Sequence, residues 1–260
     1  MISSSHNPKI QWVHTLQTKS RQRVKDKAFI IEGVRLVEEA QQSGWNILLL
    51  LYTDDIDPRS RSILQKLSDT GTPCEEVTSQ VMRFVSDTTA PQGILAVVEQ
   101  KNLLPDHNID FVFIPDAIRD PGNLGTMLRT AHAAGCDAVF VPKGTVDIYS
   151  PKVVRSAMGA HFHLPMRMLT WKEIEEVVHK HGLHVFLADS NSGRPYTQVD
   201  YKQPLALIVG GEAEGAGSEA QQLSDERLII PMPGNAESLN AAIAAGILLF
   251  TIVQKRTSPS

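Results

Sequence analysis

The sequence predicts an α/β protein in two parts. A smaller N-terminal α/β domain is expected over 1–98 and a larger domain, built on a mostly parallel sheet flanked by helices, over 109–260, with a linker at 99–108. Three observations carry this. Beyond residue 109, short and nearly continuous apolar runs alternate with stretches of helical spacing, the pattern of a parallel sheet covered on both faces. Upstream, fewer and shorter elements of both kinds alternate. Between the two lies a polar stretch containing Pro105 and no apolar period.

The first domain is read as a helix over 33–43, where Val34, Val37 and Ala40 share one face and Glu38 and Glu39 the other. A branched run predicts a strand over 47–52, followed by a helix over 59–68, a turn at Gly71, Thr72 and Pro73, and a strand over 93–98. In the second domain, strands are expected at 111–115, 138–141, 184–188, 205–209 and 228–230. Helices are expected at 124–134, 151–158, 171–181, 217–223 and 239–254. No internal repeat or low-complexity segment breaks this order. A chain of 260 residues accommodates two such domains.

Composition narrows the function. With 42% hydrophobic and 21% charged residues the chain has globular proportions. No apolar signal core opens it, and the longest nearly apolar run, 241–253, is too short to span a bilayer, so no membrane partner is expected. Cys74 and Cys136 stand far apart and support neither a disulfide framework nor a metal site. A reducing cytoplasm is the expected location. The net charge of −4 argues against binding of nucleic acid by bulk charge, yet residues 9–27 carry Lys9, Lys19, Arg21, Arg23, Lys25 and Lys27 against Asp26 alone. Two readings stay open: a solvated mobile arm, or a strip that contacts phosphates and releases their counterions.

In a parallel sheet, ligands sit beyond the carboxyl ends of the strands. Three loops there are rich in Gly, Asn, Asp, Glu and Ser. After the strand at 111–115, Asn123 is placed to cap a helix through its side-chain oxygen. Capping does not explain Arg129, which sits among Leu128, Ala131, Ala133 and Ala134 and either snorkels or points its fork into a polar site. After the strand at 205–209, Gly210, Gly211, Gly215 and Gly217 let backbone approach a ligand, although a flexible turn would look the same. Gly215, Gly217 and Ala220 fit a dinucleotide fingerprint, but they start six residues after Val209 instead of directly after the strand, which disfavours a nicotinamide-dependent oxidoreductase. The third loop runs from Ile230 through Pro231, Met232 and Gly234 to Ser238, Leu239 and Asn240, ahead of a helix rich in Ala and Gly. It is longer than a turn requires and reads as a small-molecule cradle.

Taken in order, these motifs resemble the TrmH (SpoU) family of the SPOUT superfamily, RNA ribose 2′-O-methyltransferases that use S-adenosylmethionine. The residues that carry the resemblance are Asn123, Leu124 and Gly125 with Arg129 and Thr130, then Gly210 through Glu212 to Gly215, then Ile230, Pro231, Met232 and Gly234 with Ser238, Leu239 and Asn240. The stretches 151–160, 29–37 and 91–98 also look like family segments, so the likeness covers nearly the whole chain. Ala213 departs from a common Gly.

The resemblance implies a deep C-terminal trefoil knot, a feature that sequence periodicity cannot reveal. It also implies a homodimer with the cofactor sites near the subunit interface. It implies catalytic roles for Asn123, Arg129, Glu212, Ser238 and Asn240, with Arg129 central. A cofactor site is implied at Ala188, Asp189, Ser190, Gly210, Gly211, Gly215, Ile230, Met232, Gly234 and Leu239. RNA would be held by Lys9, Lys19, Arg21, Arg23, Lys25, Arg35 and Arg155. Domain-extended members favour ribosomal over transfer RNA by analogy. The remaining alternatives are a tRNA 2′-O-methyltransferase and an RNA-binding or assembly protein that keeps the fold without catalysis.

Overall fold

The computed structural model describes residues 1–105, 108–211, 215–234 and 237–258. The first elements are α1 (Pro8–Thr18), α2 (Ser20–Asp26), β1 (Ala28–Glu32), α3 (Val34–Gln42), β2 (Ile47–Tyr52), α4 (Pro58–Asp69), β3 (Cys74–Glu76), α5 (Ser79–Val85) and β4 (Ile94–Glu99). After them come β5 (Phe111–Asp116), α6 (Pro121–Ala133), β6 (Ala138–Pro142), α7 (Pro151–Ala157), β7 (Met166–Leu169), α8 (Trp171–His181) and β8 (His184–Ala188). The chain closes with β9 (Arg194–Pro195), β10 (Leu205–Gly210), α9 (Ser218–Leu223), β11 (Glu226–Ile229) and α10 (Ala241–Thr257).

Two units pack separately: Met1–Lys101 with Asp147–Phe162, and Asn102–Val146 with His163–Ser260. The first therefore takes up a stretch that the sequence reading assigns to the C-terminal domain. Its sheet has the order β1-β4-β2-β3, with β4 antiparallel to both neighbours and β3 parallel to β2.

The basic stretch is not a mobile arm. Asn7 accepts from the Lys9 N–H, Pro8 pre-sets the first turn, and Ile10, Val13 and Leu16 form a buried stripe against Leu49, Leu51, Leu95 and Val97 of the sheet. Each such side chain contributes roughly 1.5–3 kcal/mol of burial. The sequence reading misses α1 because its apolar stripe is only three residues, Ile10, Val13 and Leu16, among polar ones, and α2 because it is short, charged and buries only Arg23. It misses β3 and β9 because they are only 3 and 2 residues long.

The stretch Asp147–Phe162 joins the first unit through aromatic packing. Trp45 meets Phe29 and Phe162 edge-on, with centroids 6.0 and 5.3 Å apart, and its Nε1 donates to the Phe162 carbonyl. His161 is buried beside Phe29 and Tyr149, and its Nε2–H donates to the Ile148 carbonyl at 2.7 Å. Burial drives its pKa down to about 4, outweighing that carbonyl and nearby Asp147, which push it up. The folded state thus takes up this proton later than the unfolded chain. The stability at stake is fully present above about pH 6.5 and is lost as pH falls towards 4, on the order of 3 kcal/mol in all. The melting temperature is expected to decline over that window, and His161→Gln to flatten the decline. An equally steep profile in the Gln variant would assign it to the carboxylates.

In the second unit seven strands run parallel in the order β7-β6-β5-β10-β8-β11-β9. Its core joins Val112, Ile114, Val185, Leu187, Ala206 and Ile208 of the central strands to Ile174 and Val178 of α8. Thr170 and Glu173 close a reciprocal capping box at the start of α8. The order has one consequence for function. β10 enters late in the chain between β5 and β8, so the carboxyl ends of three strands distant in sequence lie side by side.

α10 covers this sheet. Ala241, Ala242, Ala245, Leu248, Leu249 and Ile252 are buried, and the small residues let it lie close to α6 and β10. Near its end Arg256 donates to the carbonyls of Tyr201, Gln203 and Asp110, pairs with the Asp110 carboxylate at 2.6 Å, and lies 5.1 Å from the Phe111 ring centroid. Among the described residues, no helix is long and apolar enough to cross a membrane.

Candidate active site

The loops beyond β8, β10 and β11 enclose a cleft of about 640 Å³, within the range of small-ligand sites. Its lining includes Ala188, Asp189 and Ser190 after β8, Gly210, Gly211 and Gly215 after β10, and Ile230, Met232, Ser238 and Leu239 before α10. All the expected cofactor residues are therefore there except Gly234, which is exposed and outside the lining. Glu212 lies outside the described residues. Sequence reasoning missed Asn191, Glu237, Ala241 and Ala244, which also line the cleft.

Backbone geometry explains two of the glycines. A side chain at Gly210 would run into the backbone of Gly215 and Ala216, and one at Gly211 into the Ala117 carbonyl. The loop folds back on itself, with the Gly215 N–H donating to the Gly211 carbonyl at 3.0 Å. Behind it sits Asp116, which no motif or spacing in the chain singles out. It is buried at the end of β5, opposite Gly210, and accepts the Gly217 N–H at 2.7 Å. Burial raises its pKa and nearby Glu219 adds to this, against the N–H donors of Gly217 and Ala117. Asp116 anchors the second loop from beneath.

The asparagines meet. Asn123 does not cap α6, as the sequence suggests: Asp120 does, accepting the Asn123 N–H at 2.8 Å ahead of Pro121. The Asn123 Oδ1 instead accepts from Asn240 Nδ2 at 3.1 Å. Asn240 is itself the cap of α10, its Oδ1 taking the N–H groups of Ala242 and Ile243 at 3.0 and 3.3 Å. One side chain thus fixes the start of α10 and ties it to the start of α6. Arg129, two turns further along α6, is exposed and does not line the cleft.

Two carboxylates line the cleft. Burial pushes the Asp189 carboxyl up, but the N–H groups of Asn191 and Ser192 and the Arg227 guanidinium, 2.9 Å away, together hold it below the usual carboxylate range. Asp189 is thus an ionised carboxylate paired with Arg227 on one wall, and Glu237 adds a second carboxylate. A sulfonium centre fits this lining. Among the described residues, no group of three or more His, Cys, Asp or Glu could hold a metal ion.

In the first unit the expected RNA contacts divide. Lys19, Arg21, Lys25 and Arg35 are exposed. Lys9 pairs with Glu75, and Arg155 with Asp87 at 2.6 Å, both at partly exposed positions. Arg23 is a correction. It is 4% exposed, its Nε and Nη2 lie 2.9 and 2.7 Å from Asp147 Oδ2, and its Nη1 donates to the carbonyls of Leu16 and Gln17. Its donors are turned inward to hold α1 and α2 to Asp147, so they do not face a phosphate.

The cleft, its Gly-rich walls and the paired asparagines coincide with a sequence-family match, described as SpoU rRNA methylase, over residues 110–250. The chain belongs to the SpoU rRNA methylase family. A second match, described as an MRM3-like substrate binding domain, covers residues 7–96, within the first unit. A Bacillus subtilis family relative, 23S rRNA (guanosine(2553)-2′-O)-methyltransferase RlmP, is 37% identical across 96% of this chain and 97% of its own length. Among solved structures, an AdoMet-bound rRNA methyltransferase from Sinorhizobium meliloti superposes with a TM-score of 0.87 at 30% identity, covering 99% of this chain and 98% of that one. The SpoU methyltransferase AviRb from Streptomyces viridochromogenes, in complex with AdoMet, gives a TM-score of 0.89 at 28% identity over 98% and 100% of the two chains.

Proposed function

We propose that this chain transfers a methyl group from S-adenosylmethionine to a ribose 2′-hydroxyl of ribosomal RNA. The observation that carries the reading is the cleft at three adjoining strand ends, lined by the glycine loop, the segment before α10 and the ionised Asp189. The cofactor is held by the backbone around Gly210, Ile230 and Leu239, with Ala188, Asp189 and Ser190 closing the site. When bound, it supplies an electrophilic methyl on a cationic sulfur.

The protein has two tasks: to place the 2′-oxygen behind that methyl, and to manage the hydroxyl proton. Positioning can lower a barrier by several kcal/mol, roughly 7–11 in favourable intramolecular cases. Asn123 and Asn240, already joined, position the ribose, and Ser238 supports them. Arg129 holds the neighbouring phosphate and stabilises charge developing on the oxygen, since a guanidinium with a pKa above about 12 is a poor base.

Arg129 lies on the exposed face of α6, and α10 exposes Ile243 and Phe250, seven residues apart and so on one side of the helix. Both support a homodimer in which Arg129 serves a site at the subunit interface. The open face of α10 is this large apolar one; its small residues are used inside the unit. The family fold implies that α10 closes a trefoil knot, and the anchoring of Arg256 suits a helix held in that way. The protein would work in the cytoplasm.

Calorimetry is expected to show S-adenosylmethionine binding and no NAD binding. Labelled methyl groups should pass to ribosomal RNA from a deletion strain, leaving one gap in its alkaline hydrolysis ladder. Binding of NAD but not S-adenosylmethionine would overturn the reading. Label appearing in transfer RNA alone would move the substrate.

A further inference from the structure

α1 and α5 pack together in the first unit, and at their seam two aromatic rings stack. His14 and Phe84 have centroids 4.3 Å apart and planes inclined by 21°. The His14 ring is fixed, because its Nδ1 lies 3.2 Å from the Phe84 carbonyl and a carbonyl can only accept. Phe84 is not needed by the core: Val81, Met82 and Val85 fill that role from the same short helix, while Phe84 stays 36% exposed. Exposed Arg83 precedes it, and α1 leads into exposed Lys19, Arg21 and Lys25. The one acid of that stretch, Asp26, is bound to Trp12 Nε1 and Gln22 Nε2.

We infer that the His14–Phe84 stack is a platform for one unpaired nucleobase of the RNA substrate, with the surrounding cations taking the flanking phosphates. The inference rests on the proposed RNA-modifying function and names where the substrate-binding domain, matched over 7–96, grips a single strand. A ring pre-set by a backbone hydrogen bond, in a segment rich in exposed cations, is the combination that single-stranded nucleic acid requires. Stacking supplies sequence-tolerant affinity and the cations follow the backbone. Duplex RNA, with its bases already stacked, would gain nothing from the rings.

The test uses the full-length protein and a short single-stranded RNA carrying 2-aminopurine, whose fluorescence falls when the base stacks. Phe84→Leu keeps an apolar side chain without a ring and is expected to bind about 5- to 100-fold more weakly, with the quenching lost. Phe84→Trp is expected to bind at least as tightly as the unsubstituted chain, and duplex binding to be the same in all three. Equal single-strand affinity in the Leu and Trp variants, weak or strong, would overturn the platform. Ring-dependent binding by a chain that transfers no methyl group would instead sink the enzymatic reading, so the two failures are distinguishable.

Discussion

Arg129→Lys is expected to lose methyl transfer by about a hundredfold or more, nearly as much as Arg129→Ala. The magnitude is that of removing one transition-state hydrogen-bond donor, about 2.7–4 kcal/mol. Lysine keeps the charge but not the planar fork, and the proposed role needs the fork twice, once for a phosphate and once for the developing alkoxide. Arg129 stands exposed on α6 and outside the cofactor cleft, so its substitution should lower kcat far more than it weakens S-adenosylmethionine. Single-turnover methyl transfer, with enzyme in excess over RNA and S-adenosylmethionine saturating, is the measurement. Near-full turnover in the Lys variant would mean that charge alone suffices, or that the reaction does not pass by this residue.

Arg23→Ala is expected to cost about 3–5 kcal/mol of stability in the first unit, because it leaves the half-buried Asp147 carboxylate and the carbonyls of Leu16 and Gln17 without their cation. Its neighbours should behave oppositely. Replacing exposed Lys19, Arg21 or Lys25 by Gln is expected to leave stability within about 0.5 kcal/mol and to reduce the salt dependence of RNA binding by roughly 0.7–0.9 per residue. Chemical denaturation separates the groups. An Arg23→Ala protein as stable as the parent would refute the structural role.

These arginines show where reading a sequence stops. In the strip 9–27, Arg23 looks the same as Arg21, and only the fold brings Asp147 to one and not the other. The alternation of apolar runs and helical spacing was enough to place five of the seven strands of the second unit, because a strand buried on both faces must be apolar throughout; β7, with two exposed central residues, and the two-residue β9 escaped it. Order within the sheet was not legible, since β10 lies between β5 and β8 through contacts that leave no periodic mark. Asn123 looks like a helix cap from local spacing, yet Asp120 takes that role and Asn123 is joined to Asn240. Asp116 and His161 carried no pattern at all. Each has its shifted pKa from burial, which belongs to the surroundings and not to the residue.

By itself, the sequence determined the α/β class, the kinds of residue in each loop and, through motifs in a fixed order, the family. Those depend on composition and spacing along the chain. The tertiary structure decided that the loops after β8, β10 and β11 share one cleft, that Arg23 turns inward, that Asp147–Phe162 folds with the first unit, and that His14 and Phe84 stack. The physical reason is that catalysis and recognition depend on groups within a few ångströms of one another. Distances between residues far apart in sequence are fixed by packing, not by spacing.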